Sequence, residues 1–382
     1  MSELAFEDAR LSTIELLLEP RARTKRTCTG PKNGESMDNQ WVVAILHQGQ
    51  PGHSAPTIAN AWTLQADLTE ALRERGWQPQ AVFLDTQFLW LQTLLQMAPQ
   101  LVLNAADLGF FYDMTLEPIV PGVLAAAGLH FTGTGAYAEA FSSDKFASKL
   151  YLQSLGVAVP EVWLADADPH TVTYPVIVKP RFGHNSYGMD ADCVVRDAQA
   201  LRRYMAKVPA NAPDLLLEAF IDGPEVTAAF VGHQPSVALP IFRVDFGPAF
   251  ANQPKILGYR SKWIEDSPEY LDSPTVPAQL PEELRDRVDA AMAKATQALL
   301  ICDYGRGDFR LRTLDDGQVE PVLVDYNANP DLSRGAGLAR MAGVAGWTYA
   351  ELIDRIVQSA LARPPHRPVV DAAQGDVATP AS

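Results

Sequence analysis

The chain has 382 residues, enough for two or three domains with sizeable hydrophobic cores. Its 46 Asp and Glu against 31 Lys and Arg give a formal net charge of −15 at pH 7, which disfavours nucleic acid and anionic membranes as partners. The three cysteines, Cys28, Cys193 and Cys302, are odd in number and far apart, so the sequence predicts neither a disulfide framework nor a zinc motif. We therefore expect a cytoplasmic protein with no nucleic acid or membrane partner.

The two ends of the chain are predicted to lie outside the folded part. Residues 1–39 lack the basic segment followed by an apolar segment that is typical of a secretory signal. We predict that they form a polar, flexible extension. Residues 364–382 are rich in Pro and Ala, a composition typical of a disordered tail.

Apolar runs that alternate with helical patterns open the folded part of the chain. The strands are predicted at Val42–Leu46, Ala81–Asp85 and Leu101–Ala105, and the helices at Ala61–Arg75 and Phe88–Met97. Such alternation is typical of a parallel sheet that binds ligands at the carboxyl ends of its strands. The pattern predicts an N-terminal α/β substrate domain over residues 40–135.

The middle of the chain is predicted to be richer in strands. A long helix over Ala136–Gly156 is followed by five extended runs and one helix at about Ala198–Lys207. The runs are Val162–Leu164, Pro175–Lys179, Asp192–Val195, Leu215–Glu218 and Glu225–Val231. Runs of strands with few crossovers favour an antiparallel sheet, so we predict an α+β lobe over residues 136–235.

A second α+β lobe is predicted over residues 236–363. Its elements are a helix at Pro281–Leu300, strands at Gly307–Thr313 and Val319–Tyr326, and closing helices at Ser333–Ala342 and Thr348–Ala362. The Asp-Gly turn that ends at Gly317 predicts that the two strands form a hairpin.

Three segments carry residues suited to chemistry. Lys179 ends a strand before a loop with several glycines, which suits an anion, although the same pattern is often an ordinary turn. Glu218 and Glu225 flank a Gly-Pro turn and could accept hydrogen bonds from a base and a ribose, or lie on a solvated hairpin.

The hairpin is the most informative of the three segments. Arg306 and Asp308 stand two residues apart on one strand, and Asp325 and Asn327 repeat that spacing on the other, so each pair shares a face. Three oxygen ligands suit Mg²⁺, and a neighbouring arginine suits phosphoryl or oxyanion charge. The alternative is a hairpin with paired surface charges.

Taken in order, these segments resemble the ATP-grasp superfamily and, within it, the D-alanine–D-alanine ligase group. The marks of the resemblance are Thr132–Gly135, Ser143–Lys145, Pro175–Pro180, Leu217–Glu225, Gly305–Asp308 and Asp325–Asn327. The resemblance, from about Phe131 to Ala360, implies an ATP-grasp fold in which an N-terminal parallel α/β domain precedes two α+β lobes that clamp ATP. It also implies an ATP-dependent carboxylate–amine ligase that forms an amide bond through an acyl phosphate on amino acid or dipeptide-like substrates.

The resemblance assigns roles residue by residue. Nucleotide binding is implied for Lys145, Lys179, His184, Asn185, Gly188, Glu218, Ala219, Ile221 and Glu225. Catalytic roles are implied for Arg306, Lys262 and Ser186, and metal ligation for Asp308, Asp325 and Asn327. The implied cofactors are ATP and one or two Mg²⁺ ions, with Mn²⁺ as a substitute. Ligases of this group are often dimers, which leaves a homodimer open.

The chain departs from the family pattern at the substrate loop. That loop, which begins at His47, lacks the glutamate that holds the first substrate's ammonium in the family. His47 and His53 could contact a different acid substrate or be merely solvated, and Asp107, Asp113 and Glu117 are alternative ammonium partners.

Two further departures affect the catalytic centre. Asp325 replaces a glutamate of the metal pair, and Asp331 stands where the family has an oxyanion-hole glycine. We therefore expect a ligase with altered substrates. A D-alanine–D-alanine ligase proper and a non-catalytic ATP-binding protein are the alternatives.

Overall fold

The computed structural model describes residues 41–48, 56–107, 113–183, 186, 188–209, 211–234 and 236–366. These ranges contain three β-sheets with helices packed against them. The predicted extension, residues 1–39, lies outside the described residues. Within the described ranges, no helix is long and apolar enough to cross a membrane.

The N-terminal sheet is parallel, as predicted, with strand order β2-β1-β3. Its elements are β1 (Val42–His47), α1 (Pro56–Glu74), β2 (Gln78–Phe83), α2 (Leu89–Met97), β3 (Leu101–Asn104) and α3 (Ile119–Ala126). Residues 43–46 and 101–103 are fully buried, because helices cover both faces of the sheet. His47 and Asn104 are the last residues of β1 and β3, so they lie at the carboxyl edge of the sheet.

The middle sheet has four antiparallel strands in the order β4-β7-β5-β6. Its elements are α4 (Ala136–Ser143), α5 (Lys145–Ser154), β4 (Val162–Leu164), β5 (Val176–Pro180), β6 (Val194–Val195), α6 (Ala198–Met205) and β7 (Leu215–Ala219). The prediction of one helix over residues 136–156 is wrong. Asp144 adopts an extended backbone and its carboxylate accepts hydrogen bonds from the N–H groups of Phe146 and Ala147, so it caps a new helix.

The third sheet has six antiparallel strands, in the order β11-β10-β8-β12-β13 with β9 paired to β8. Its strands are β8 (Glu225–Val231), β9 (Val237–Ala238), β10 (Phe242–Val244), β11 (Thr275–Pro277), β12 (Tyr304–Thr313) and β13 (Val319–Asn327). The accompanying helices are α7 (Tyr259–Trp263), α8 (Pro268–Leu271), α9 (Glu282–Ala298), α10 (Gly337–Val344) and α11 (Tyr349–Ala362). The hairpin prediction for β12 and β13 is confirmed.

Strand β8 was predicted in the sheet of the middle lobe, and that prediction is wrong. It lies between β10 and β12 in the third sheet. The turn before it explains the change of sheet, since a Cβ on Gly223 would lie 2.2 Å from the carbonyl oxygen of Leu311 on β12. Only glycine permits this close approach, which brings the chain from β7 onto β12.

Helix α11 closes the fold by packing against the N-terminal sheet. Ile353 and Ile356 share one buried cluster with Val43, Ile45 and Leu68, although some 300 residues separate the two groups in sequence. The N-terminal sheet and helix α11 thus share a single hydrophobic core.

A buried ion pair fixes the end of α11. The Arg363 guanidinium lies 2.8 Å from Asp303 Oδ2 and also donates to the carbonyl oxygens of Phe131 and Gly133. The His366 ring stacks on Phe131 with ring centroids 4.5 Å apart. The prediction of a disordered tail is therefore wrong for residues 364–366, and the rest of that tail lies outside the described residues.

Candidate active site

A cavity of about 640 Å³ opens between the middle sheet and the third sheet. Strands β5 and β7 form one wall, and β8, β12 and β13 form the other. The predicted site residues that line it are Lys145, Lys179, Ser186, Glu218, Ala219, Ile221, Glu225, Lys262, Asp308 and Asp325. The structure therefore brings together residues from six separate segments of the chain around one concave space.

Glu218 is buried between two lysines in the wall of the cavity. Lys179 Nζ lies 2.9 Å from Glu218 Oε1, and Lys149 Nζ lies 2.9 Å from Glu218 Oε2. Both ammonium groups also donate to the carbonyl oxygen of Val324 on β13, at 3.1 and 2.9 Å. Burial alone would raise the pKa of Glu218, but the two lysines outweigh it and hold that pKa below its usual value.

Lys145 stands in the first turn of α5 because Asp144 caps that helix. Asp144 is itself fixed by Arg181, whose Nε lies 2.8 Å from Asp144 Oδ1. The Lys145 ammonium donates to the carbonyl oxygen of Gly183, at the start of the glycine-containing loop. Burial lowers the pKa of Lys145 to about 8, although Asp325 opposes the shift. This lysine is therefore a buried cation aimed at the loop.

The loop itself is described only in part. Ser186 and Gly188 both adopt left-handed backbone, with φ of 52° and 71°. The N–H of Met189 donates to the carbonyl oxygen of Ser186, so the described part of the loop forms a tight turn. His184 and Asn185 lie outside the described residues, so their predicted nucleotide roles stay predictions.

Glu225 is paired with an arginine that the sequence prediction did not include. Arg310 Nη2 lies 2.6 Å from Glu225 Oε2, and Arg310 Nη1 donates to the carbonyl oxygen of Gly223 at 3.0 Å. Burial raises the pKa of Glu225 despite the arginine. Arg310 thus fixes both the Gly-Pro turn and the carboxylate that follows it.

The acidic residues of the hairpin meet as predicted from their spacing. Asp308 lies directly opposite Asp325 in the strand register, and Arg306 lies opposite Asn327. Thr227 Oγ1 donates to Asp308 Oδ1 at 2.9 Å, and Arg306 Nη2 lies 3.4 Å from Asp308 Oδ2. Asp308 raises the pKa of Arg306, which keeps the guanidinium charged.

This donor set fits a hard divalent cation. Two carboxylates facing each other across strands repel unless a positive charge lies between or beside them. Carboxylate and amide oxygens are the ligands that Mg²⁺ prefers, and Asn327 supplies the amide. In the part of the chain that the structure describes, no three His, Cys, Asp or Glu side chains form a metal-binding group, so a three-ligand site here depends on Asn327.

Lys262, on the short helix α7, completes the charged lining. It is partly buried, and the loss of solvation lowers its pKa. Asp308, Asp325 and Glu225 act on it from the third sheet and oppose that shift. The lysine therefore faces the acidic end of the cavity.

The substrate-side residues divide into buried and exposed groups. His47 is fully buried against Phe83, with ring centroids 4.4 Å apart, and burial lowers its pKa to about 4. It is not a solvated loop histidine, and His53 lies outside the described residues. Asp113 is exposed, and its carboxylate accepts from the N–H and hydroxyl of Thr115.

Two of the predicted ammonium partners, the half-buried Asp107 and the buried Glu117, have raised pKa values. Burial, reinforced by Asp331, raises the pKa of Asp107 to about 7. Burial also raises the pKa of Glu117 well above its usual value, and Glu139 beside it adds to the shift. Asp331 Oδ1 accepts from the N–H and hydroxyl of Ser333, which ties that carboxylate to its own loop.

Sequence reasoning missed two kinds of residue in this site. Arg310 and Lys149 are buried partners of predicted residues, and Lys149 could have been found because it follows Lys145 by four residues on one helix face. The apolar part of the cavity lining carries no polar motif, so the sequence gave no sign that these residues belong to a binding site. It consists of Met114, Ile177, Phe182, Met189, Phe220, Ile256, Leu257 and Val324.

Comparisons with known proteins identify related sequences. The family described as D-ala D-ala ligase C-terminus matches residues 161–358. A D-alanine--D-alanine ligase of Gluconobacter oxydans is 28% identical over 301 residues, which are 77% of this chain and 92% of that protein. A putative D-alanine--D-lactate ligase of Streptomyces coelicolor is 29% identical over 249 residues, 63% of this chain and 67% of that protein.

Solved structures give the same fold. The D-alanine--D-alanine ligase from Bacillus anthracis complexed with ATP superimposes with a TM-score of 0.65 at 19% identity, covering 84% of this chain and 97% of that one. The VanG D-Ala:D-Ser ligase from Enterococcus faecalis gives a TM-score of 0.62 at 16% identity, covering 84% of this chain and all of the other. The predicted fold class is confirmed.

Proposed function

The chain belongs to the D-alanine–D-alanine ligase family, and we propose that its cavity binds ATP and activates a carboxylate for attack by the amine of an amino acid. It is an ADP-forming ligase of the ATP-grasp fold, so the non-catalytic alternative is set aside. The observation that carries the assignment of the cavity is the convergence of Lys145, Lys179 and Lys262 with Asp308 and Asp325 on one space.

The chemistry explains why cations and acids are both needed there. A carboxylate acylates poorly, because its leaving group would be oxide. Transfer of the terminal phosphoryl group of ATP to the carboxylate gives an acyl phosphate and ADP. The amine then attacks the carbonyl carbon, inorganic phosphate leaves with the electrons of the broken C–O bond, and the amine loses a proton.

We assign the cationic residues to charge stabilisation in these two steps. Lys145 and Lys179 neutralise phosphate oxygens of ATP, and Lys262 reaches the transferred group. Arg306 stabilises the oxyanion that forms when the amine attacks. The loop that contains Ser186 and Gly188, with His184 and Asn185, covers the phosphates and keeps water from the acyl phosphate.

We assign the base and ribose of ATP to the other end of the cavity. Glu218 accepts from the adenine amine, Ala219 and Ile221 contact the base with the apolar lining, and Glu225 accepts from the ribose. The pairing of Glu225 with Arg310 holds its carboxylate toward the cavity.

Asp308, Asp325 and Asn327 are proposed to hold one or two Mg²⁺ ions, with Mn²⁺ as a substitute. When bound, the ion supplies positive charge to the phosphate oxygens. Asp325 is shorter than the glutamate it replaces, so we expect the second ion to bind more weakly than the first.

The architecture is proposed to follow the predicted three parts, with one boundary moved. Residues 40–135 form the substrate domain, and two lobes clamp ATP. Because β8 lies in the third sheet, we place the boundary between the lobes at the Gly223–Pro224 turn rather than at residue 235. A homodimer and a cytoplasmic location stay predictions, the former to be checked by light scattering.

Acceptor-dependent ADP formation tests the proposal. Purified protein with ATP and Mg²⁺ is offered a panel of D- and L-amino acids, hydroxy acids and dipeptides, and ADP release is followed by a coupled assay. We expect ADP formation that depends on an amino acid. Its absence across the panel would overturn the proposed ligase activity, and failure to join two D-alanines at millimolar concentration would remove the D-alanine–D-alanine ligase alternative.

A further inference from the structure

We propose that Lys149 is a positioning residue for nucleotide binding, which holds Glu218 in place so that Lys179 can turn to the phosphates of ATP. The inference rests on the proposed function, since it concerns how the same cavity binds ATP. Neither the sequence motifs nor the comparisons give Lys149 a role.

Lys149 lies behind the cavity wall, where it contacts two residues that line the cavity, Glu218 and Val324. Its side chain is 5% exposed, and its ammonium lies 2.9 Å from both Glu218 Oε2 and the carbonyl oxygen of Val324. It therefore connects helix α5 to strand β7 and to the opposite sheet. A lysine buried to this degree is costly unless its charge is matched, and Glu218 provides the match.

The Lys179 ammonium has two competing partners, Glu218 and the phosphates of ATP. In this structure it pairs with Glu218 Oε1 at 2.9 Å, whereas the proposed complex needs its charge at the phosphates. If Lys179 were the only partner of Glu218, binding ATP would leave a buried carboxylate without a counter-charge. Lys149, on the other oxygen of the same carboxylate, removes that penalty.

The same arrangement sets the preference for adenine. A carboxylate accepts from the amine of adenine and repels the carbonyl oxygen that guanine carries at the corresponding position. That discrimination requires Glu218 to stay ionised and oriented toward the base. Without Lys149, we expect Glu218 to follow Lys179, and the discrimination between ATP and GTP falls.

Calorimetric titration with ATP and with GTP, in the presence of Mg²⁺ and without an acceptor, tests the inference. The variants are Lys149→Met, Glu218→Gln and the double variant, with Lys207→Met as the control. Lys207 is exposed on the same lobe. The double variant tests coupling, because a residue that acts through Glu218 loses its effect once that charge is removed.

We expect Lys149→Met to weaken ATP binding by about tenfold or more and GTP binding by less than about threefold. In the Glu218→Gln background, the same substitution is expected to change ATP affinity by less than about threefold. Lys207→Met should bind ATP as the wild type does.

Two results would overturn the inference: unchanged ATP affinity in Lys149→Met, or an equal loss of affinity with and without the Glu218 charge. If Lys149→Met fails to fold, the ATP affinity of Glu218→Gln is compared with that of the double variant. A tenfold lower ATP affinity in the double variant would contradict the coupling and overturn the inference. Wild-type protein that binds no ATP would refute the proposed function instead, so the two failures are distinguishable.

Discussion

Replacing Arg363 by methionine tests the buried ion pair that fixes the end of helix α11. The Arg363 side chain is 4% exposed and that of Asp303 is 0% exposed. Methionine keeps much of the arginine's apolar volume and removes its charge and donors. Asp303 would keep hydrogen bonds from Ser359 Oγ and the N–H of Gly133, at 2.9 and 2.8 Å, but no cation.

The expected loss of stability is large for a single substitution. Removing one partner of a buried ion pair costs about 3–5 kcal/mol, because the remaining charge stays buried without compensation. The carbonyl oxygens of Phe131 and Gly133 lose a donor as well, which places the loss toward the upper end of this range.

Urea unfolding followed by circular dichroism measures the effect, with an exposed pair as the control. Arg243 and Asp245 are 45% and 52% exposed, so Arg243→Met should change the free energy of unfolding by less than about 1 kcal/mol. Adding Asp303→Asn to Arg363→Met should recover part of the lost stability, because it removes the unpaired Asp303 charge. Asparagine also tolerates the left-handed backbone at this position, where φ is 64°.

A loss below about 1 kcal/mol in Arg363→Met would refute the reasoning, since it would equate the buried pair with an exposed one. A double variant less stable than Arg363→Met would also refute it, because the cost is attributed to the unpaired Asp303 charge.

Three further predictions concern activity and pH. Asp308→Asn should lower kcat at least about 100-fold, because it removes one ligand charge of the proposed metal site, whereas Asp315→Asn in the exposed hairpin turn should leave initial rates unchanged. Burial lowers the pKa of Lys145 to about 8, so kcat/KM for ATP should fall as pH rises through about 8 in initial-rate profiles. Lys145→Arg, which stays charged, should remove that limb, and an unchanged profile in this variant would contradict the assignment. Burial raises the pKa of Glu139 from 4.5 to about 7, so its contribution to stability is present at low pH and is lost as pH rises through 7. In thermal unfolding, Glu139→Gln should match the wild type near pH 5 and exceed it at pH 8, and parallel curves would contradict this.

The sequence predicted the sheets well where local patterns decide them. Buried apolar runs marked the parallel strands, and the Asp-Gly turn marked the β12–β13 hairpin, because periodicity and turn chemistry are local properties. It failed for β8, since the strand's own residues suit either sheet and the choice depends on the contact between Gly223 and Leu311. The sequence did not predict the helix break at Asp144, because an aspartate inside a helical pattern can either cap a new helix or lie within a continuous one.

The candidate site was predicted through its polar motifs. Lys179, Glu218 and Asp308 carry signals in their immediate neighbours, and their roles remain proposals to be tested. Lys149 and Arg310 serve as partners of other side chains, which only the tertiary contacts reveal. The apolar lining of the cavity could not be predicted from the sequence for the same reason, since Ile256 or Phe220 could equally be an ordinary core residue.

The position of helix α11 has a consequence for synthesis of the protein. The strands of the N-terminal sheet end at Asn104, yet part of the apolar surface that covers them, including Ile353 and Ile356, is translated much later. A nascent chain on the ribosome therefore carries a sheet with one face covered only in part, by helix α1, until residues 349–362 emerge. Folding of that sheet is therefore completed only after residues 349–362 have been made, and chaperones have that interval in which to bind its exposed apolar surface.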